Sequence, residues 1–355
     1  MSSGSKRNLG QYFTRDEVWL RPHLVEHLRS LRTQYTTCLD PFAGDGHLLQ
    51  AATSMGFTTV GHDVDEAICT ANGWGTPNDS ILHVPQHNDA FVLTNPPYLA
   101  KNSAKRLNAP AVSYFLPEAV IPSSDEHAAV LDDLFKLAIE QTLVHYADSI
   151  WIVPESVVQD LELLPHWRAR LHSLTVLEDN PFTDTEHPVC VLVFSANKPN
   201  GELWKNDTRL GTYDEIWALH NEILTLPRAL TPMKFNAPAG KLGYRAVDGT
   251  KEDNSMRIRF YHGDDLGYDR RRIKVSSRHL TYIDVALEQD TLTAVIEEAN
   301  RRIEAYRAAT HDVFLTAFMG NTKTGIRRRR MDYHLARRLF NAAFFAVNGQ
   351  STPSP

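Results

Sequence analysis

Thr36-Thr37-Cys38-Leu39 runs straight into Asp40-Pro41-Phe42-Ala43-Gly44-Asp45-Gly46, and His47-Leu48-Leu49-Gln50-Ala51-Ala52 follows without a break. The first four residues read as a short strand and the last six as a helix. Strand, glycine turn and helix in that order open a doubly wound nucleotide-binding unit. Gly44 and Gly46 permit positive φ and let the backbone approach a ligand closely. The turn is not a phosphate loop of the Walker kind, because the Gly-Lys-Ser/Thr ending is missing. It also carries two carboxylates, Asp40 and Asp45, where a phosphate would need none. A cationic or zwitterionic ligand suits it better than a diphosphate.

Working outward, Thr58-Thr59-Val60-Gly61-His62-Asp63 ends a second strand on an acid about 20 residues after the glycine turn, where such folds grip a ribose diol. Asp63 is the first candidate for that role and Asp65 the second. Asn78-Asp79-Ser80 puts a third acid on the same edge, either to accept from an adenine amino group or as an ordinary turn residue. Phe91-Val92-Leu93-Thr94 is another strand, and Asn95-Pro96-Pro97-Tyr98 stops it, since neither proline has an N–H for the ladder. The chain therefore leaves the sheet at a strand's carboxyl end, where open α/β sheets bind ligands. The chemistry available there is specific. An exocyclic amine on an aromatic base is a poor nucleophile, because its lone pair is delocalised into the ring. The Asn95 side-chain oxygen and the Pro96 carbonyl, taking both amino hydrogens, would favour a pyramidal nitrogen and free the lone pair. Tyr98 would offer a flat face for the base.

Three motifs in this order, Gln11-Tyr12-Phe13-Thr14, Asp40 to Gly46, and Asn95 to Tyr98, resemble those of the S-adenosylmethionine-dependent DNA adenine-N6 methyltransferases of bacterial type II restriction-modification systems, with the gamma-type motif order. The resemblance covers about residues 9–200 by motif and the C-terminal part only by position and charge. It implies a Rossmann-like, seven-stranded methyltransferase sheet followed by a C-terminal α+β target-recognition domain. It implies that Tyr12, Phe13 and Thr14 close over the cofactor's methionine end, which Asp40, Pro41, Ala43, Gly44 and Gly46 also line. Asp63 would hold the ribose, with Asp79 and Phe91 flanking the adenine. Asn95 and Pro96 would orient the target amine and Tyr98 would stack on the target base, with Pro97 and Lys101 close by. Arg15 stands where many relatives have proline. Phe182, in Asn180-Pro181-Phe182-Thr183-Asp184, is the candidate for a second aromatic clamp, or else a core residue. No metal is needed, the partner is double-stranded DNA, and a cognate restriction endonuclease is the functional companion by family association. One strand is modified per visit, which favours a monomer.

The composition is that of an ordinary globular protein: 355 residues, 42% hydrophobic and 23% charged. No apolar run reaches the roughly 18 residues of a membrane span, and no apolar signal core opens the chain. Cys38, Cys69 and Cys190 are too few and scattered for a disulfide frame or a zinc site, so a reducing cytoplasm is expected. The net charge of −6 is unevenly spread. Ser255 to Phe340 holds 17 Lys+Arg against 11 Asp+Glu, leaving −12 for the remainder. Two basic clusters stand out there: Arg270-Arg271-Arg272 with Lys274 and Arg278, and Lys323 to Arg330 with Arg327, Arg328 and Arg329 in its final run. Arginine pairs phosphates or reads guanine, and phosphate contacts are in the majority; plain solvated charge is the other reading.

The expected organisation is a catalytic domain over residues 1–200, a target-recognition domain over 201–345 and a loose tail over 346–355. Residues 99–125 read as a polar loop, and Asp284 to Ala309 as one long amphipathic helix. Two rivals accompany this assignment: methylation of an RNA base or a protein glutamine by the same Asn-Pro-Pro-Tyr chemistry, and a non-catalytic DNA-binding protein with a degenerate cofactor domain.

Overall fold

The computed structural model describes residues 16–116, 129–179, 181–182, 187–226, 232–250, 256–272, 279–322 and 326–349. It divides into two compact units, Met1–Gly211 and Thr212–Pro355. The sheet explains why the boundary falls some ten residues beyond the Asn/Pro/Gly stretch at 195–202. Strands β7 (Glu202–Lys205) and β8 (Thr208–Thr212) continue the first unit's sheet instead of opening the second unit.

That sheet is a Rossmann-like, mostly parallel one of eight strands in the order β2-β1-β3-β4-β6-β5-β7-β8. Strand β1 is Thr37–Asp40, β2 Thr58–Gly61, β3 Ala90–Thr94, β4 Asp148–Pro154, β5 Leu171–Val176 and β6 Val189–Ser195. β1 pairs in parallel with β2 on one side and β3 on the other. β6 runs antiparallel between β4 and β5. The chain reverses direction across the sheet at β1 and β3, so a crevice opens at their carboxyl ends. Strands β3, β4 and β6 are buried along their whole length, as the continuous apolar runs of central strands require.

The helices begin where local chemistry starts them. Pro22 opens α1 (Pro22–Leu31), and the preceding turn at Asp16–Trp19 is a separate piece, because proline sets a new N-terminus there. Gly46, at φ +78°, caps α2 (His47–Ser54). Asp65 accepts from the Ala67 and Ile68 amides to cap α3 (Glu66–Asn72). The segment expected as a loop after Tyr98 is partly helical. It forms α4 (Lys101–Leu107), stopped by Asn108 at φ +49°, then a 3-10 turn over Pro110–Phe115. Ala104, Ala109 and Ala111 give it a buried side narrow enough to lie flat. Residues 117–128 lie outside the described part. Helix α5 is Leu134–His145.

The second unit is α+β. After α6 (Tyr213–Thr225), which a Thr212/Glu215 capping box starts, four antiparallel strands lie in the order β11-β10-β12-β9. They are β9 (Met233–Phe235), β10 (Leu242–Arg245), β11 (Arg259–His262) and β12 (Leu280–Val285). Helix α7 (Gln289–Thr310) starts later than its sequence pattern suggested, because Asp284 and Val285 belong to β12. Its Leu292, Val295, Ile296, Ala299 and Ile303 form one apolar stripe, which packs in a core with Leu339 and Phe340 of α8 (Tyr333–Val347) and with Tyr244 and Phe260 of the sheet. A hairpin of β13 (Thr316–Asn321) and β14 (Arg327–Arg330) completes the unit.

Candidate active site

Parallel pairing of β1 with β3 (Leu39 beside Val92) brings Asp40 next to the end of β3, and Thr94 Oγ1 donates to Asp40 Oδ1 at 2.5 Å. Two motifs whose paired residues are 54 apart in sequence therefore end side by side. A cavity of about 240 Å³ opens there, lined by Asp40, Phe42, Ala43, Gly44 and Asp45 of the glycine turn and by Asn95, Pro96 and Pro97 of the β3 exit. Asp63 and Asp79 line it as well. Among the described residues no Lys or Arg lines it, and its ionisable wall there consists of four carboxylates, His47 and Tyr114.

Each acid is held differently. Asp40 is 2% exposed; burial pushes its carboxyl up to about 7 against the hydrogen bonds from Thr94 and the Phe42 amide. Both of those bonds reach Oδ1, which leaves Oδ2 for a cation. Asp63 accepts from the Gly44 amide through Oδ2 (3.0 Å) and from the Asp65 amide through Oδ1 (2.9 Å), and burial raises its carboxyl too. The Val64 amide is a third backbone donor to the same carboxylate. Asp65, the second candidate for that role, is occupied as the α3 cap. Asp79 takes the Ile81 amide on Oδ1 and the Tyr114 hydroxyl on Oδ2 (2.7 Å). Burial, then the bond to Asp79, pushes the Tyr114 hydroxyl above its ordinary range.

At the exit of β3, Asn95 is half-buried and the Tyr98 hydroxyl donates to its Oδ1 in a short hydrogen bond. The same hydroxyl lies 2.6 Å from the Ile152 carbonyl. Tyr98 itself is 6% exposed, its ring packed with Phe135, Phe182 and His187. In place of the expected open stacking face, it supports Asn95 from behind the cavity. Asp133 accepts from the Leu99 amide at 2.9 Å, fixing the backbone just after the tetrapeptide.

Other expected residues also fall elsewhere. Phe91 is fully buried in β3 against Phe57 and Tyr35, so it does not flank the cavity; Ile81 lines it instead. Pro41 and Gly46 shape the turn without lining the cavity. Phe182 is buried edge-on to Tyr98. Lys101 opens α4, with its amide bonded to the Asp132 carbonyl. Tyr12, Phe13, Thr14, Lys274 and Arg278 lie outside the described residues, as does the side chain of Arg272. Arg270 is committed to its own loop: it donates to the Pro238 and Gly240 carbonyls, pairs with Asp264 at 2.9 Å and stacks on Tyr282. Arg271 pairs with Asp269 in the same turn. Arg327 and Arg329 are buried, at 3% and 1% exposure, while Arg328 and Arg330 are half-buried.

Two residues that the sequence reading missed hold the site together. Trp74 Nε1 donates to the Gly44 carbonyl at 2.9 Å, and its ring covers the turn so closely that a Cβ on Gly46 would stand 2.8 Å from it. Tyr114 comes from the 3-10 turn. The one local signal was a tryptophan between two glycines, Gly73-Trp74-Gly75, in a loop.

No protein-family profile matches the chain, and no curated protein matches it. Among solved structures it is similar to a type I restriction-modification system methyltransferase subunit from Streptococcus thermophilus, at 17% identity and a TM-score of 0.35. That match covers 62% of this chain and 55% of the other, so the chain spans only about half of that subunit. It is also similar to a TehB-like SAM-dependent methyltransferase from Corynebacterium glutamicum, at 14% identity and a TM-score of 0.28, over 47% of this chain and 86% of that one. At such scores these likenesses carry no weight of their own. The fold rests on the strand order.

Proposed function

We propose that this chain is an S-adenosylmethionine-dependent DNA methyltransferase that modifies adenine at N6. The observation that carries the reading is the one cavity shared by the Asp40–Gly44 turn and the Asn95–Pro97 strand exit, whose described wall carries four carboxylates and no Lys or Arg. A diphosphate would be repelled there, whereas a ligand with cationic groups, a ribose and an adenine matches the donor set. Asp40 Oδ2 would face a positive group, Asp63 the diol and Asp79 an exocyclic amine. When bound, S-adenosylmethionine supplies an electrophilic methyl on a sulfonium.

The chain's own residues would do the positioning. Asn95 Oδ1 and the Pro96 carbonyl would accept the two amino hydrogens of an adenine extruded from duplex DNA at a cost of a few kcal/mol of unstacking. Tyr98, whose hydroxyl donates to Asn95 Oδ1, would fix the orientation of the Asn95 amide. Orientation and exclusion of water do most of the work in such a site. No strong base is needed, because the amino proton becomes acidic once nitrogen is alkylated.

The test is transfer of tritium from labelled cofactor to plasmid DNA, to ribosomal RNA and to a release factor in parallel, followed by nucleoside analysis. Label on DNA as N6-methyladenine is expected, and Asn95→Ala should bind cofactor nearly as well while losing transfer. Label on RNA or glutamine instead would keep the chemistry and change the substrate. No cofactor binding would favour the non-catalytic rival.

A further inference from the structure

The four consecutive arginines at the end of the second basic cluster form a strand, β14, and alternate in burial: Arg327 and Arg329 are buried, Arg328 and Arg330 are not. Side chains of a strand point to opposite faces in turn, so the run is two pairs with separate surroundings. Behind it, the Asp248 carboxylate, where an acid would be needed to neutralise the strand, is already taken by both terminal nitrogens of Arg307 (2.9 Å each). On the outer side, Arg328 gives only its Nε to the Asp248 carbonyl (2.7 Å), and its guanidinium lies over the Phe318 ring, 4.8 Å from the centroid. His279 meets the same ring edge-on, with centroids 5.0 Å apart. Burial, then Arg328, then Arg330, holds the His279 ring below the ordinary imidazole range. Among the described residues no carboxylate makes an ion pair with Arg328 or Arg330, and the Asp248 charge that acts on Arg328 is the one Arg307 holds.

Charge left without a counter-charge at the surface is costly unless water or a partner supplies the anion. A guanidinium held over an aromatic ring is fixed in place at little entropic cost, and its planar fork of N–H donors suits a phosphate oxygen pair. We propose that the Arg328–Arg330 face of β14, with His279 and Phe318, is a phosphate-contacting surface for duplex DNA, while Arg327 and Arg329 serve the fold. The inference rests on the DNA reading above and narrows it to two of the four arginines. Arg270 and Arg271 are excluded from it, since their guanidiniums are engaged within their own loop.

The experiment measures affinity for a labelled duplex of arbitrary sequence against salt concentration, by fluorescence anisotropy. Each phosphate contact contributes about 0.9 to the slope of log affinity on log salt, so Arg328→Gln and Arg330→Gln should each reduce the slope by about one. Near 0.1 M salt that corresponds to roughly eightfold weaker binding per variant. Arg328→Lys should restore the slope, since it restores the charge. Arg327→Gln and Arg329→Gln should instead lower the melting temperature. Unchanged slopes in the Arg328 and Arg330 variants, with wild-type protein still binding DNA, overturn this inference and leave the methyltransferase reading standing. Wild-type protein that binds RNA and not duplex DNA, or neither, overturns both.

Discussion

Trp74 and Gly44 stand 30 residues apart, yet the indole N–H of one donates to the carbonyl of the other at 2.9 Å. The same ring leaves no room for a Cβ at Gly46 or Gly61, each of which would meet it at 2.8 Å. The glycine turn is thus held from outside the cavity by a side chain that touches no ligand position. A neutral hydrogen bond of this kind contributes about 1 kcal/mol. Trp74→Phe should therefore weaken S-adenosylhomocysteine binding about fivefold in calorimetry, and Gly61→Ala should lower stability by roughly 1–3 kcal/mol through overpacking. Unaltered affinity in Trp74→Phe would mean that the turn keeps its shape unaided.

Tyr98 offers a sharper separation of roles. Its ring is enclosed by Phe135, Phe182 and His187, and only its hydroxyl reaches Asn95. Tyr98→Phe keeps the packing and removes the oxygen that orients the amide. Turnover should fall by roughly 10- to 100-fold, within the range set by losing one positioning contact, while cofactor affinity stays put. If the ring instead stacked on the base, Phe would substitute well and Tyr98→Ala alone would be damaging; comparing kcat for the two variants decides.

The pH dependence has a definite sign. Burial raises the Asp40 and Asp133 carboxyls to about 7, from 3.8. Between those limits the folded chain keeps protons that the unfolded chain has released, so this contribution to stability is present at low pH and is lost as pH climbs towards 7. Each group accounts for up to about 4 kcal/mol over the interval. Asp133→Asn keeps an acceptor for the Leu99 amide and removes the titration. Its melting temperature should fall less than that of the wild type between pH 5 and about pH 7, a comparison made by calorimetry. A ligand that places positive charge at Asp40 should expel a proton near neutrality, detectable as a buffer-dependent binding enthalpy.

In the second unit, Arg307 is 7% exposed and bridges two acids, Asp248 through both terminal nitrogens and Asp312 through Nε and one of them. Removing one partner of a buried ion pair leaves the other charged and desolvated, at a cost of about 3–5 kcal/mol. Arg307→Gln should destabilise by that amount in urea unfolding. Arg301→Gln, whose pairing with Glu298 is exposed, should change little.

What the chain's letters alone determined is local. The strand, glycine turn and helix from Thr36 to Ser54, and the proline-stopped strand before Asn95, follow from propensity, from φ freedom at glycine and from the missing N–H of proline, all properties of neighbours in sequence. The cavity's acids Asp40, Asp63 and Asp79 were legible for the same reason, since each sits at a strand's last residue, just beyond a strand or in a turn. Tertiary structure decided whatever depends on residues far apart. Phe91 reads as a candidate ring for the adenine until pairing with β1 and contact with Phe57 take it into the core. Trp74 and Tyr114 join the site through loops whose paths no periodicity encodes. Arginine favours helices as readily as surfaces, so Arg327 to Arg330 gives no alternating signal of its own. Only pairing with β13 made that run a strand, and a strand must turn alternate side chains to opposite faces.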